Sequence, residues 1–335
     1  MARQTNDFVA AWEALSGSDA AGGWRGIPVT PAGSCELLAA RRFPGNEEAL
    51  LACFPSARLA SAERLPEGKG FEIVRADPKG DGKTWIALSR KESGNPELFA
   101  EMVSDVAGAM DAEAHNGEEQ VLKSMLRRVR MWQNFMSRGT QPLGPEAELG
   151  LAGELTFIAC LLQAGVSAET ILEGWVGPED APKDFVLGHG AIEIKTTLST
   201  AGFPVKIGSL EQLDDATISP LFLGAVRFSL GSDGSTLPEI ILDIERQLVG
   251  IPAAAALMKE KLLAAGYVDS HAPAYLRTFE FKEARVYAVT EGFPRLTTGQ
   301  VPDGVFRATY EINLDHAKDY LSNLPSALQN LGVLQ

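Results

Sequence analysis

Residues 182–197, PKDFVLGHGAIEIKTT, constrain this chain more than any other stretch. Two short apolar runs, DFVL and AIEIK, flank Gly188, His189 and Gly190. Glycines at this spacing turn a chain back on itself, so an antiparallel hairpin is expected. Side chains alternate along a strand, so Ile192 and Ile194 take one face and Glu193 and Lys195 the other. A strand this apolar belongs inside a sheet, where a charged pair is costly unless compensated. The hairpin returns the chain beside Asp184, nine residues before Glu193. Two carboxylates and a backbone carbonyl, such as that of Ile194, make a hard oxygen site suited to Mg²⁺, with Asp184 and Glu193 as metal ligands. Lys195 would orient or deprotonate a water and offset charge on a phosphate. The competing reading is an edge strand whose Glu193 and Lys195 form surface ion pairs of little worth.

A further acid comes from residues 150–165, GLAGELTFIACLLQAG, which read as a helix. Pro145, Glu146 and Glu148 form its start, where proline is tolerated and the helix dipole favours acids. Leu151, Leu155, Ile158 and Leu162 share the apolar face, and Glu154 sits at its edge. Gly150 and Gly153 thin the helix beside it and permit close approach. Glu148 is the rival, but its place in the first turn is accounted for by the dipole, so Glu154 is preferred.

The remainder supplies few other chemical motifs. Gly82, Lys83 and Thr84 resemble the end of a Walker A loop, but Asp77 stands where the leading glycine would be. PKGDGK also lies between two strand-like runs and reads as a hairpin turn. The four histidines are scattered, and no GxSxG elbow is present. Cys35, Cys53 and Cys160 match neither a disulfide framework nor a zinc spacing, which fits a reducing cytoplasm. No signal peptide is expected in the first fifteen residues, and no apolar run is long enough to span a membrane.

A length of 335 residues suits about two domains. Residues 1–92 are expected as a β-rich N-terminal domain, with strands at ELLAARR, ALLACF, GFEIVRA and TWIALSR. Residues 93–335 are expected as a helical lead-in followed by an α/β core with a C-terminal helical extension. Two lead-in helices fall at 96–138. The second has a buried stripe of Leu122, Met125, Val129, Trp132 and Met136, with Lys123, Arg127 and Arg130 opposite, either solvated or touching phosphates. In the core, ETILEGWV reads as extended, and SPLFLGAVRFSL and RTFEFKEARVYAVT as strands. Helices are expected at 238–265, and a terminal one broken near Pro325. The net charge of −14 argues against a basic DNA-coating protein, though not against an enzyme with a local basic face.

The order of helix Glu, Asp, then Glu-x-Lys on a hairpin resembles the PD-(D/E)XK nuclease superfamily. The wording RMWQNFM, GLAGELTFI, WVGP, KDF, IEIKTT and IGSLEQLDD is similar to a prokaryotic PD-(D/E)XK group associated with phage-defence and restriction loci. The family's Pro-Asp pair reads here as Pro182-Lys183-Asp184. The resemblance implies an α/β (α+β) fold: a restriction-endonuclease-like core with a mixed central sheet flanked by helices. It also implies a Mg²⁺-dependent DNA endonuclease, with Mn²⁺ as a substitute metal. On this resemblance Asp184 and Glu193 are metal ligands, Lys195 the catalytic lysine and Glu154 the helix acid. The alternative is a weak or inactive nuclease-fold subunit that binds DNA or scaffolds a multi-protein defence complex. DNA, a second copy of the chain, and an ATPase or other defence-system partner are the expected partners. A hydrolase of small phosphorylated substrates is a third reading, which a deep closed pocket would favour.

Overall fold

The computed structural model describes residues 5–17, 22–59, 64–179 and 181–334. They fall into two compact units, Met1–Thr140 and Gln141–Gln335. The first unit contains α1 (Thr5–Ala14), β1 (Gly23–Ala32), β2 (Cys35–Phe43), β3 (Glu47–Phe54), β4 (Phe71–Ala76), β5 (Thr84–Arg90), α2 (Pro96–Ala112) and α3 (Glu118–Arg138). Its antiparallel sheet has the order β1-β2-β3-β5-β4. The four expected strands form. β1 escapes a propensity reading because GWRGIPVTPA carries two prolines and two glycines, which a strand at a sheet edge tolerates.

The boundary expected at residues 92/93 is corrected to 140/141. The reason is burial. β2 and β3 are apolar on both faces, so their sheet needs a covering layer. α1 and α2 contribute to it: Trp12 lies 5.7 Å from the Phe99 ring and donates to the Ala49 carbonyl at 2.9 Å. α2 and α3 therefore belong with the N-terminal sheet. In α3, Phe135 rather than Met136 completes the buried stripe, while Lys123, Arg127 and Arg130 are exposed. PKGDGK is a turn, with Gly80 and Gly82 at positive φ and the Gly80 N–H donating to Asp77 Oδ1.

The second unit contains α4 (Pro145–Gln163), α5 (Ala168–Gly174), β6 (Phe185–Leu187), β7 (Gly190–Thr197), β8 (Pro204–Ile207), β9 (Leu221–Ser235), α6 (Leu237–Gln247), α7 (Pro252–Ala265), β10 (Phe279–Ala288), β11 (Tyr310–Asn313), β12 (Leu321–Ser322) and α8 (Leu324–Asn330). The main sheet has the order β12-β10-β9-β7-β6 and is mixed: β7 and β9 are parallel, the other pairs antiparallel. The α-helices bury one face of it around Leu155, Ile158, Ile192 and Ile194. The antiparallel β8–β11 pair and irregular segments cover the other, around Ala191, Phe203, Leu223 and Tyr287. The fold is thus α/β (α+β), with a restriction-endonuclease-like core in the second unit and a β-rich first unit.

Two local expectations are corrected. ETILEGWV is mostly the helix α5, because Ser167 Oγ accepts the Thr170 N–H and starts a turn that the apolar run continues. Pro325 opens α8 rather than breaking a helix, since Asn323 caps it and proline fits the first turn. Among the described residues, no helix is long and apolar enough to cross a membrane.

Candidate active site

The hairpin forms as the glycines require: β6 and β7 are antiparallel, with Phe185 opposite Ile192 and Gly188 at φ 59°. β6 is only three residues long, so β7 beyond Ile192 lacks a β6 partner. The Asp184 side chain occupies that place. Its Oδ2 accepts the Ile194 N–H at 2.6 Å. In an extended strand the N–H and C=O of one residue point to the same edge, so the Ile194 carbonyl also opens toward Asp184.

Glu193 shares a face with Ala191 and is fully buried at 1% exposure. Its Oε1 takes the Lys195 ammonium at 2.6 Å. Its Oε2 is buried without a hydrogen-bond partner. Burial, then the charge of Asp184, push the Glu193 carboxyl up to about 8, against the pull of Lys195 and Lys183. Burial also raises Asp184, while Lys195, the Ile194 N–H and Lys183 oppose it.

Glu154 arrives from the helical face. α4 lies close on β7 because Gly153 has no side chain: a Cβ there would overlap Thr196. Glu154 Oε2 accepts the Trp175 indole N–H at 2.7 Å. Burial, then the charge of Asp184, push Glu154 up to about 8. A Cβ on Gly177 would stand 2.7 Å from Asp184 Oδ1 and 3.4 Å from Glu154 Oε2, so this glycine borders both acids. The four sequence candidates therefore feel one another's charge near the start of β6: Asp184 at the edge, Glu193 and Lys195 from one face of β7, and Glu154 from the helix side. Glu148 does not join them. It is buried against Arg277, whose Nε and Nη2 reach its Oε2 at 2.9 and 2.8 Å.

The model of one protein family, described as "Putative PD-(D/E)XK family member, (DUF4420)", matches residues 8–315. The chain belongs to this family. No curated protein and no solved structure matches the chain. The match spans both units, so the PD-(D/E)XK family description extends from the nuclease-type core into the β-rich N-terminal unit.

Sequence reasoning gave no role to four residues of this candidate site. Trp175 is buried, stacks on Phe185 at 6.5 Å, and holds Glu154. Gly177 and Val176 donate their N–H groups to the Asp184 carbonyl at 3.0 and 2.9 Å. Lys183, visible in sequence only as an insertion in the Pro-Asp pair, is buried at 4% exposure. The GWVGP wording marked the region, but nothing in it assigned a partner to the indole. Gln212 faces its own turn, accepting the Gly208 N–H at 2.7 Å.

The residues suit a divalent cation. The acids are buried and mutually repelling, and one carboxylate oxygen is orphaned. Among the described residues, no three His, Cys, Asp or Glu side chains come together as a metal cluster. The fit is therefore to two carboxylates and a backbone carbonyl, a hard oxygen set.

Proposed function

We propose that this chain is a divalent-metal-dependent DNA endonuclease of restriction or phage-defence type, acting in the cytoplasm on phosphodiester bonds. One observation carries the reading: Asp184, Glu193, Glu154 and Lys195 gather at the open edge of β7, with Glu193 Oε2 buried and unpartnered. Asp184 and Glu193, with the Ile194 carbonyl, would hold Mg²⁺ or Mn²⁺. When bound, that cation supplies positive charge to stabilise the charge that builds on the phosphate.

The chain's own side chains do the rest. Asp184 is fixed by the Ile194 N–H and by the loop at Val176 and Gly177, so its carboxylate is preorganised. Lys195 is shared with Glu193 before substrate binds. Its ammonium orients the attacking water and offsets charge on the phosphate. Glu154, held by Trp175, completes the acid set from the helix side. DNA is the proposed substrate and partner, and cutting both strands favours a second copy of the chain.

The test incubates the full chain with duplex and single-stranded DNA and Mg²⁺ or Mn²⁺. Cleavage that requires the metal and falls at least a hundredfold in Lys195→Ala is expected. Cleavage that survives this substitution, or none with either metal and either DNA, would overturn the proposal.

A further inference from the structure

Lys183 separates Pro182 from Asp184, and its side chain does not reach solvent. Its Nζ donates to the carbonyls of Glu211, Gln212 and Asp214, the latter two at 2.9 Å. An ammonium has three N–H donors, so all are spent on one irregular segment, residues 208–220, between β8 and β9. The carbonyl these three skip, that of Leu213, takes Arg295 Nη1 at 2.6 Å, while Arg295 Nη2 pairs with Asp215 at 3.0 Å. Four consecutive carbonyls thus end on two cations.

A buried cation is an expensive way to hold a loop, since apolar side chains fill such space without desolvating a charge. Its placement gives the reason. Lys183 is the residue before Asp184, so whatever fixes its ammonium also fixes the backbone that presents that acid. The segment's own bonds are short-range: Gly208 N–H to Gln212, Ser209 to Glu211, Asp214 N–H to the Glu211 carbonyl, and Ala216 N–H to Asp214. Buried Leu210 and Leu213 seat the segment, and its ends are held by the Thr309 hydroxyl on the Gly208 carbonyl and the Ala191 N–H on the Pro220 carbonyl, so Lys183 and Arg295 anchor its middle.

We infer that Lys183 is a positioning residue that locks the 208–220 segment to the strand end presenting Asp184 and Glu193. The segment and the two acids then keep one geometry while substrate binds. For its effect on turnover the inference rests on the nuclease reading above. The lock itself does not.

The test uses the full chain and the variants Lys183→Met and Lys183→Arg, followed by hydrogen exchange and by DNA cleavage kinetics. In Lys183→Met, exchange over 208–220 should rise at least tenfold, with peptides of β2 and β3 unchanged. The kcat should fall at least tenfold, with KM for duplex DNA within threefold. A generally destabilising substitution would instead raise exchange throughout the second unit. If the Met variant does not fold, Lys183→Arg carries the test. A planar guanidinium cannot meet three converging carbonyls as an ammonium does, so exchange over 208–220 should rise at least threefold. Exchange at the wild-type rate in both variants, or a loosened segment with unchanged kcat, would overturn the inference. A wild-type chain that cuts no DNA would sink the nuclease reading, and the exchange measurement would still decide the lock.

Discussion

At the residue scale, Glu193 and Glu154 hold protons that the unfolded chain would release. Each is raised from 4.5 to about 8, chiefly by burial. Below about 4.5 both states are protonated and nothing is gained or lost. Between 4.5 and about 8 the unfolded state binds fewer protons, so stability falls as pH rises. The metal-free chain should therefore lose thermal stability from pH 5 to pH 8. Glu193→Gln, which carries no charge, should lose less. Mg²⁺ should raise the wild-type midpoint more at pH 8 than at pH 5 and do little for the variant. Thermal melts with chelator or Mg²⁺ check this, and an equal pH slope in both proteins would refute the assignment to Glu193. The Trp175 indole is a second residue-scale case. Trp175→Phe keeps an aromatic ring against Phe185 but removes the donor to Glu154, at a cost of about 1–3 kcal/mol in stability for the unpaired buried acid. Cleavage should fall at least tenfold, measured as kcat under saturating metal. An undiminished rate would show that Glu154 needs no such support.

At the element scale, the short strand β6 and the close approach of α4 create the site. Had β6 run past Phe185 toward Lys183, backbone pairing would have taken the Ile194 N–H that Asp184 now binds. Asp184 leads into the strand and satisfies the group the strand leaves open. Gly153 sets the distance of α4 from β7. Gly153→Ala would press Cβ into the Thr196 side chain, a β-branched residue with few alternative rotamers. Overpacking here should cost about 1–3 kcal/mol and move Glu154, its neighbour. The double variant Gly153→Ala/Thr196→Ala should recover most of the lost midpoint and activity. Denaturant unfolding and cleavage rates measure both, and a double variant no better than the single would place the strain elsewhere.

At the scale of the whole molecule, the site residues and both apolar clusters that build their sheet lie within Gln141–Gln335. The first unit has a core of its own around Leu38, Leu51 and Trp85. Residues 141–335 expressed alone should therefore unfold cooperatively and keep the Mg²⁺ stabilisation at pH 8. A non-cooperative melt, or loss of the metal response, would show that the N-terminal unit supports the site. The net charge of −14 bears on the same scale. If DNA is the substrate, as proposed, a chain this acidic would meet it through local cations rather than its mean field, with Lys195 a cation at the candidate site.

The sequence alone determined the hairpin, because glycine spacing and two-residue alternation are local properties of the backbone. It also determined which side chains share a face of β7, and the helical stripe that carries Glu154. It could not place the unit boundary, because a sheet's need for a cover appears only when both faces of β2 and β3 are known to be buried. It read α5 as extended, since seven residues hold too little periodicity to outvote their β-branched neighbours. Lys183 and Trp175 depended most on the tertiary structure. An ammonium seeks carbonyls 28 to 31 residues away, and an indole N–H an acid 21 residues away. Neither partner is written in local spacing, because long-range hydrogen bonds are chosen by the packing of α4 and the 208–220 segment around the strand end.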